Sequence, residues 1–87
     1  MRYATQYQVL LAVAMSELHQ TNHALFMPPN THYLNMLTIV KNKKLVEPIG
    51  EHFYKLTLKG WRKLKNDPNY KSLEAQDKAV DDFVDNL

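Results

Sequence analysis

Apolar residues recur at three- and four-residue steps near the start of the chain, at Tyr3, Tyr7, Leu10, Leu11, Ala14 and Leu18. That spacing predicts an amphipathic helix from about Ala4 to about His19. Val9 and Val13 fall off the stripe, which predicts burial on more than one side, as a central helix or against a partner subunit. Thr21 and Asn22 can cap a short second helix through His23, Ala24, Leu25 and Phe26, and Pro28-Pro29 must end it. Asn30 then suits the N-cap of a third helix, Thr31 to about Lys43, with Tyr33, Leu34, Leu37 and Val40 facing inward. Thr31, Asn35, Thr38 and Asn42 line its outward face, flanked by His32 and Lys41.

The period changes after Lys44. Leu45-Val46 opens a strand, Pro48-Ile49-Gly50-Glu51 carries Pro and Gly where a tight turn wants them, and Phe53 to Leu56 returns. Alternation puts Tyr54 and Leu56 on one face and Phe53 and Lys55 on the other. Thr57 can cap a helix of Leu58 to about Asn66, anchored by Trp61 and Leu64, and Asp67-Pro68-Asn69 reads as a break. From about Ser72, Leu73, Val80, Phe83, Val84 and Leu87 form a last amphipathic helix with acidic residues on its other side.

This order of elements, with Tyr54, Leu56, Thr57 and Gly60 in a Tyr-x-Leu-Thr-x-x-Gly pattern, resembles the winged helix-turn-helix superfamily, as in PadR-like and MarR-like regulators. The segment Val40 to Val46 is similar to the end of the recognition helix in such proteins, with Lys44 where glycine usually sits. The implied fold is mainly α with a small two-stranded antiparallel β-wing. Residues 1–66 would form the winged domain, and residues 67–87 a turn and a C-terminal helix used for packing or dimerisation. The resemblance also implies a DNA-binding regulator, although DNA-binding wings usually carry Arg or Lys at the tip. Here the tip, Pro48 to His52, is short and acidic.

Composition narrows the alternatives. Eighty-seven residues support one domain, and 45 % hydrophobic against 23 % charged residues argues against global disorder. With no cysteine, thiolate chemistry and cysteine-ligated zinc are excluded, which suits a reducing cytoplasmic setting. The longest apolar run, Val9 to Met15, is too short to span a bilayer, and the start lacks a signal-peptide pattern, so no membrane partner is expected. Charge is asymmetric. Residues 1–73 hold ten Lys and Arg against four carboxylates, whereas residues 74–87 hold one against five. The basic body suits a polyanion, and the acidic end would repel one or fold back over Lys41–Lys44.

If the third helix enters a major groove, Asn35 and Asn42 are the natural adenine readers, and Thr31, His32 and Thr38 can reach base edges or phosphates. Lys41, Lys43, Lys44, Lys55 and Lys59 would neutralise phosphates. Lys59, Arg62, Lys63 and Lys65 form a second basic group that could grip a flanking phosphate run but reads better as solubility charge around Trp61. Leu73, Val80, Phe83, Val84 and Leu87 offer a seam for a homodimer, or for packing on the first helix. His19 and His23 are four apart and His32 could add a third ligand, but no Cys and no well-spaced carboxylate completes a metal site, and they read as surface histidines. Without a Gly-rich phosphate loop, a nucleophile elbow or a close carboxylate pair, no enzyme, metal or cofactor is expected. Two functions follow. The first is a small DNA-binding regulator of transcription or replication in a bacterium, plasmid or phage, reading double-stranded DNA with helix 30–43. The second is a winged-helix adaptor or inhibitor that binds protein through Met36, Ile39, Ile49 and Phe53.

Overall fold

In the structure, a computed structural model describing residues 2–72 and 77–87, one helix runs through the middle of the molecule. This is α1, Gln6–His19, closed at its start by a reciprocal capping box. Thr5 Oγ1 accepts from the Gln8 amide at 3.1 Å, while Gln8 Oε1 accepts from the Thr5 amide at 2.9 Å. Val9, Leu10, Ala12, Val13 and Ala14 are all buried. The helix is therefore surrounded, and the residues that fall off the predicted stripe belong to the core. Tyr3, assigned to that stripe by spacing, lies outside the helix and is 78 % exposed.

After α1 the chain reverses at Gln20, in the left-handed conformation with φ 54°, and enters a 3-10 helix, His23–Phe26. Asn22 caps it by accepting from the Ala24 amide at 2.8 Å. The predicted third helix starts later than its pattern suggests. Asn30 takes φ 60° instead of capping, and Thr31–His32 forms a short strand, β2. That strand runs parallel to β1, Arg2–Tyr3, with Arg2 opposite Thr31 and Tyr3 opposite His32. The Thr31 hydroxyl donates to the Pro28 carbonyl at 2.7 Å, so it is used in the turn. Helix α2 spans Leu34–Asn42, with Tyr33 as an N-cap that makes no side-chain cap bond. Leu37 and Val40 are buried as expected, but Leu34 is 63 % exposed because the core lies under Met36, Leu37 and Val40, around the helix from it.

Helix α2 ends in a Schellman motif. The Lys44 amide donates to the Lys41 carbonyl and the Leu45 amide to the Val40 carbonyl, at 3.0 and 2.9 Å. This geometry requires a left-handed residue, and Lys44 occupies it at φ 61°. The absent glycine of the family pattern thus corresponds to a real backbone demand. Lys44→Gly is expected to raise stability by roughly 1 kcal/mol by relieving the Cβ penalty; urea denaturation would read it as a higher midpoint with an unchanged slope.

Strands β3, Val46–Ile49, and β4, Phe53–Leu56, form an antiparallel hairpin with Glu47 opposite Lys55 and Ile49 opposite Phe53. The turn comprises residues 50–52, so Pro48 and Ile49 are strand residues and only Gly50, at φ 71°, has the expected turn role. Helix α3, Leu58–Lys65, follows, with Thr57 Oγ1 accepting from the Gly60 amide at 3.1 Å. Asp67-Pro68-Asn69 starts a short helix, α4, Pro68–Ser72, instead of a loop: Asp67 accepts from the Asn69 amide at 2.8 Å. Helix α5, Lys78–Asp85, opens at an N-cap supplied by Asp77. Among the described residues the fold is mainly helical, with this antiparallel hairpin the larger of two small sheets. No described helix is long and apolar enough to cross a membrane.

One core joins α1, α2, the hairpin, α3 and α5. Tyr7, Val9, Leu10, Val13, Leu37, Val40, Leu45, Leu56, Trp61, Leu64, Val80 and Val84 belong to a single buried cluster. Val80 and Val84 are 0 % and 2 % exposed inside their own chain, so they are not free to form an intermolecular seam. Phe83 stacks on Trp61 with ring centroids 4.2 Å apart while remaining 41 % exposed, and Leu87 is 44 % exposed. Leu73, the remaining seam residue, lies outside the described residues.

Candidate nucleic-acid interface

The polar stripe of α2 survives in shortened form. Asn35, Thr38 and Asn42 are exposed and lie within about 60° of one another around the helix. Neither Asn amide has a hydrogen-bond partner among the described residues, so both keep their full donor and acceptor capacity. The Thr38 hydroxyl donates back to the Leu34 carbonyl at 3.1 Å, which leaves its lone pairs and methyl group facing outward. Leu34 and Ile39 border the stripe, at 63 % and 43 % exposure, and give it apolar edges.

Thr31 and His32 are not on this helix. They line a depression of about 280 Å³ at its start, together with Leu34 and Asn35. His32 sits against the Tyr3 ring, centroids 5.8 Å apart. The β1–β2 pairing also brings Arg2 beside Thr31, placing a cation near this end of α2 that reading along the chain missed. Two-residue strands contain too little alternation to register as a pattern.

At the other end of α2 the tertiary structure gathers positive charge. Lys41, Lys43 and Lys44 are exposed. Lys43 Nζ donates to Gln6 Oε1 at 3.3 Å. Helix α3 returns to the same place: Thr57 Oγ1 donates to the Lys44 carbonyl at 2.7 Å, and Lys59 Nζ reaches the Lys43 carbonyl at 3.4 Å. Lys59 thereby joins the α2 lysines despite sixteen residues of separation. Lys55 behaves differently. It pairs with Glu47 across the hairpin at 3.0 Å, and the hydrogen bond and charge of Glu47 hold its ammonium pKa above the usual lysine value. Lys55 is therefore already neutralised within the hairpin.

Among the described residues, the acidic C-terminal helix does not cover the lysines through ion pairs. Asp77 bonds to His19 Nε2 at 2.9 Å and also caps α5. Burial alone would raise its pKa, but the His19 bond and the two amides hold the carboxyl below the usual aspartate range. Asp81 accepts from the Tyr70 hydroxyl, whose pKa is pushed up by burial and by that carboxylate. Among the described residues no salt bridge joins α5 to Lys41–Lys44.

The histidine pair also separates. His23 is buried, 7 % exposed, with its ring edge-on to Tyr33 and Tyr54, at 5.4 and 5.7 Å between centroids. It is a packing residue joining the start of α2 to the hairpin, not a surface histidine, and burial lowers its pKa. No three His, Asp or Glu side chains among the described residues converge on a point where a metal could bind. Comparison with known proteins adds no relative: no protein-family model, curated protein or solved structure matches the chain.

Proposed function

We propose that this protein is a winged helix-turn-helix DNA-binding regulator that lays the exposed face of α2 in the major groove of duplex DNA. The observation carrying this reading is the gathering of Lys41, Lys43, Lys44 and Lys59 at the C-terminal end of a stripe made of Asn35, Thr38 and Asn42. Lysines supply phosphate affinity, while unpaired amides and a threonine methyl can discriminate base edges. The order of α2, hairpin and α3 supports the family resemblance. The hairpin differs from a DNA-binding wing, because Glu47 holds Lys55 and Glu51 stands at the tip. Affinity would therefore come from α2 and the start of α3.

Four lysine–phosphate contacts give an expected log–log salt slope of about −3.6 on duplex DNA. Fluorescence anisotropy with a random-sequence duplex across a salt series measures it directly. Replacing Lys43 and Lys59 together by alanine should flatten the slope by about 1.8. Absence of binding at low salt, or an unchanged slope in the double variant, would overturn the proposal. The second reading, a protein adaptor, rests on the opposed Ile49 and Phe53, 47 % and 49 % exposed beside Glu47 and Glu51. Failure of DNA binding would favour it.

A further inference from the structure

His23 holds three elements together. It opens the 3-10 helix that follows α1, in a turn fixed by the left-handed Gln20 and by the Asn22 cap. Its ring is buried and lies edge-on to Tyr33, the N-cap of α2, and to Tyr54 of β4. Through this one imidazole the start of α2 and the hairpin are joined.

The nitrogen Nδ1 is buried and has no hydrogen-bond partner among the described residues. A neutral imidazole carries one N–H and can leave Nδ1 as a lone pair by holding the proton on Nε2. The imidazolium carries a proton on both nitrogens. Charging the ring therefore places an N–H donor, and its share of the charge, at a dry position without an acceptor. The surrounding ionisable groups are committed elsewhere. On α1, His19 is bonded to Asp77, and Glu17 interacts with Lys55 and Glu47. On the hairpin, Lys55 and Glu47 pair with each other. From the start of α2 and from β4 the ring meets only the tyrosines Tyr33 and Tyr54. Burial is what acts on His23, and it holds the pKa below the ordinary histidine value.

We infer that His23 is an acid-sensitive latch: uncharged, it clasps the start of α2 to the hairpin, and on protonation it leaves its site and releases that contact. The closed form refuses a proton that the open form binds. The stabilisation is therefore complete above the ordinary value of 6.5 and declines as pH falls below it. A single proton limits the effect to about tenfold in the closing equilibrium per pH unit. Glu17, whose carboxyl is pushed up by burial, acts in the opposite direction at lower pH, so its contribution must be subtracted. None of the lysines or amides of the DNA reading takes part, and the latch stands or falls separately from it.

The test compares the wild-type chain with His23→Phe, which keeps a ring and cannot charge, between about pH 7.5 and about pH 5. Nuclear magnetic resonance follows the His23 imidazole of the wild type directly, and urea unfolding gives the folding constant of both chains. The imidazole should titrate below 6.5, and its contacts with Tyr33 and Tyr54 should be lost as it charges. Protection of the Leu37 amide, which closes the first turn of α2 on the Tyr33 carbonyl, should fall over the same range in the wild type alone. The wild-type folding constant should drop by up to about tenfold per pH unit more than that of His23→Phe. His23→Gln, smaller and equally unable to charge, should show the same reduced acid sensitivity if phenylalanine does not fit. An imidazole that charges while its contacts with Tyr33 and Tyr54 persist, stabilised by the tyrosine rings, would overturn the inference. An acid loss of equal size in the wild type and the variants would also overturn it.

Discussion

Gly60→Ala is expected to lower stability by roughly 3 kcal/mol, although alanine is the better helix former by about 1 kcal/mol. A Cβ at Gly60 would stand 1.9 Å from the Leu45 carbonyl oxygen and 2.9 Å from its carbon. Backbone on both sides must separate to admit it, and that backbone is already committed. Leu45 O accepts from the Thr57 amide at 3.0 Å, and Leu45 N closes the end of α2. The overlap therefore disturbs two helix termini at once. For a domain of this size the loss corresponds to a fall in melting temperature of roughly 12–24 °C. Calorimetry would measure it, and a fall of only a few degrees would show that α3 can slide away from Leu45. Gly50 is the useful control: it has positive φ but nothing within 4 Å of an added Cβ, so Gly50→Ala should cost only about 1–2 kcal/mol.

Deleting residues 77–87 should abolish cooperative folding. Val80 and Val84 are fully or almost fully buried, and Phe83 covers the Trp61 ring. Burial of two valines is worth about 1.5–3 kcal/mol each, and the aromatic pair adds about 1 kcal/mol. The summed loss of about 4–7 kcal/mol rivals the whole stability of a chain this long, roughly 4–13 kcal/mol. Trp61 emission should shift to the red and amide dispersion should collapse. A truncated chain that stayed folded would make α5 an accessory helix. The same experiment bears on an autoinhibitory role for the acidic end. An inhibitory flap would leave a folded fragment that binds DNA more tightly, whereas a core helix leaves no fold to test.

The Gly60 contact shows why part of the fold was readable along the chain. The Tyr54, Leu56, Thr57 and Gly60 pattern combines a strand end and an N-cap, both set by local geometry, with a close helix approach to the Leu45 backbone that only packing provides. Thr57 caps α3, and Trp61 and Leu64 anchor it as their spacing implies. The start of α2 was less accessible. Asn30, Thr31 and His32 have the residue types of a helix start, but pairing with Arg2–Tyr3 across the chain outcompetes it. Leu34 consequently lies outside the buried arc. His23 and Glu17 were equally hard to interpret, because a lone polar residue does not disclose whether packing will remove its water.

Most of the helices, the hairpin after α2, the caps at Thr57 and Asn22, and the polar face carrying Asn35, Thr38 and Asn42 could be read from the order of residues along the chain. Periodicity and capping are local properties, set within one or two turns of chain. The enclosure of α1, the meeting of Lys59 with Lys43, the pairing of Lys55 with Glu47, and the dry oxygen of Glu17 arise from long-range packing. Those outcomes depend on which distant surfaces meet, because desolvation and charge pairing are properties of the contact, not of either segment alone.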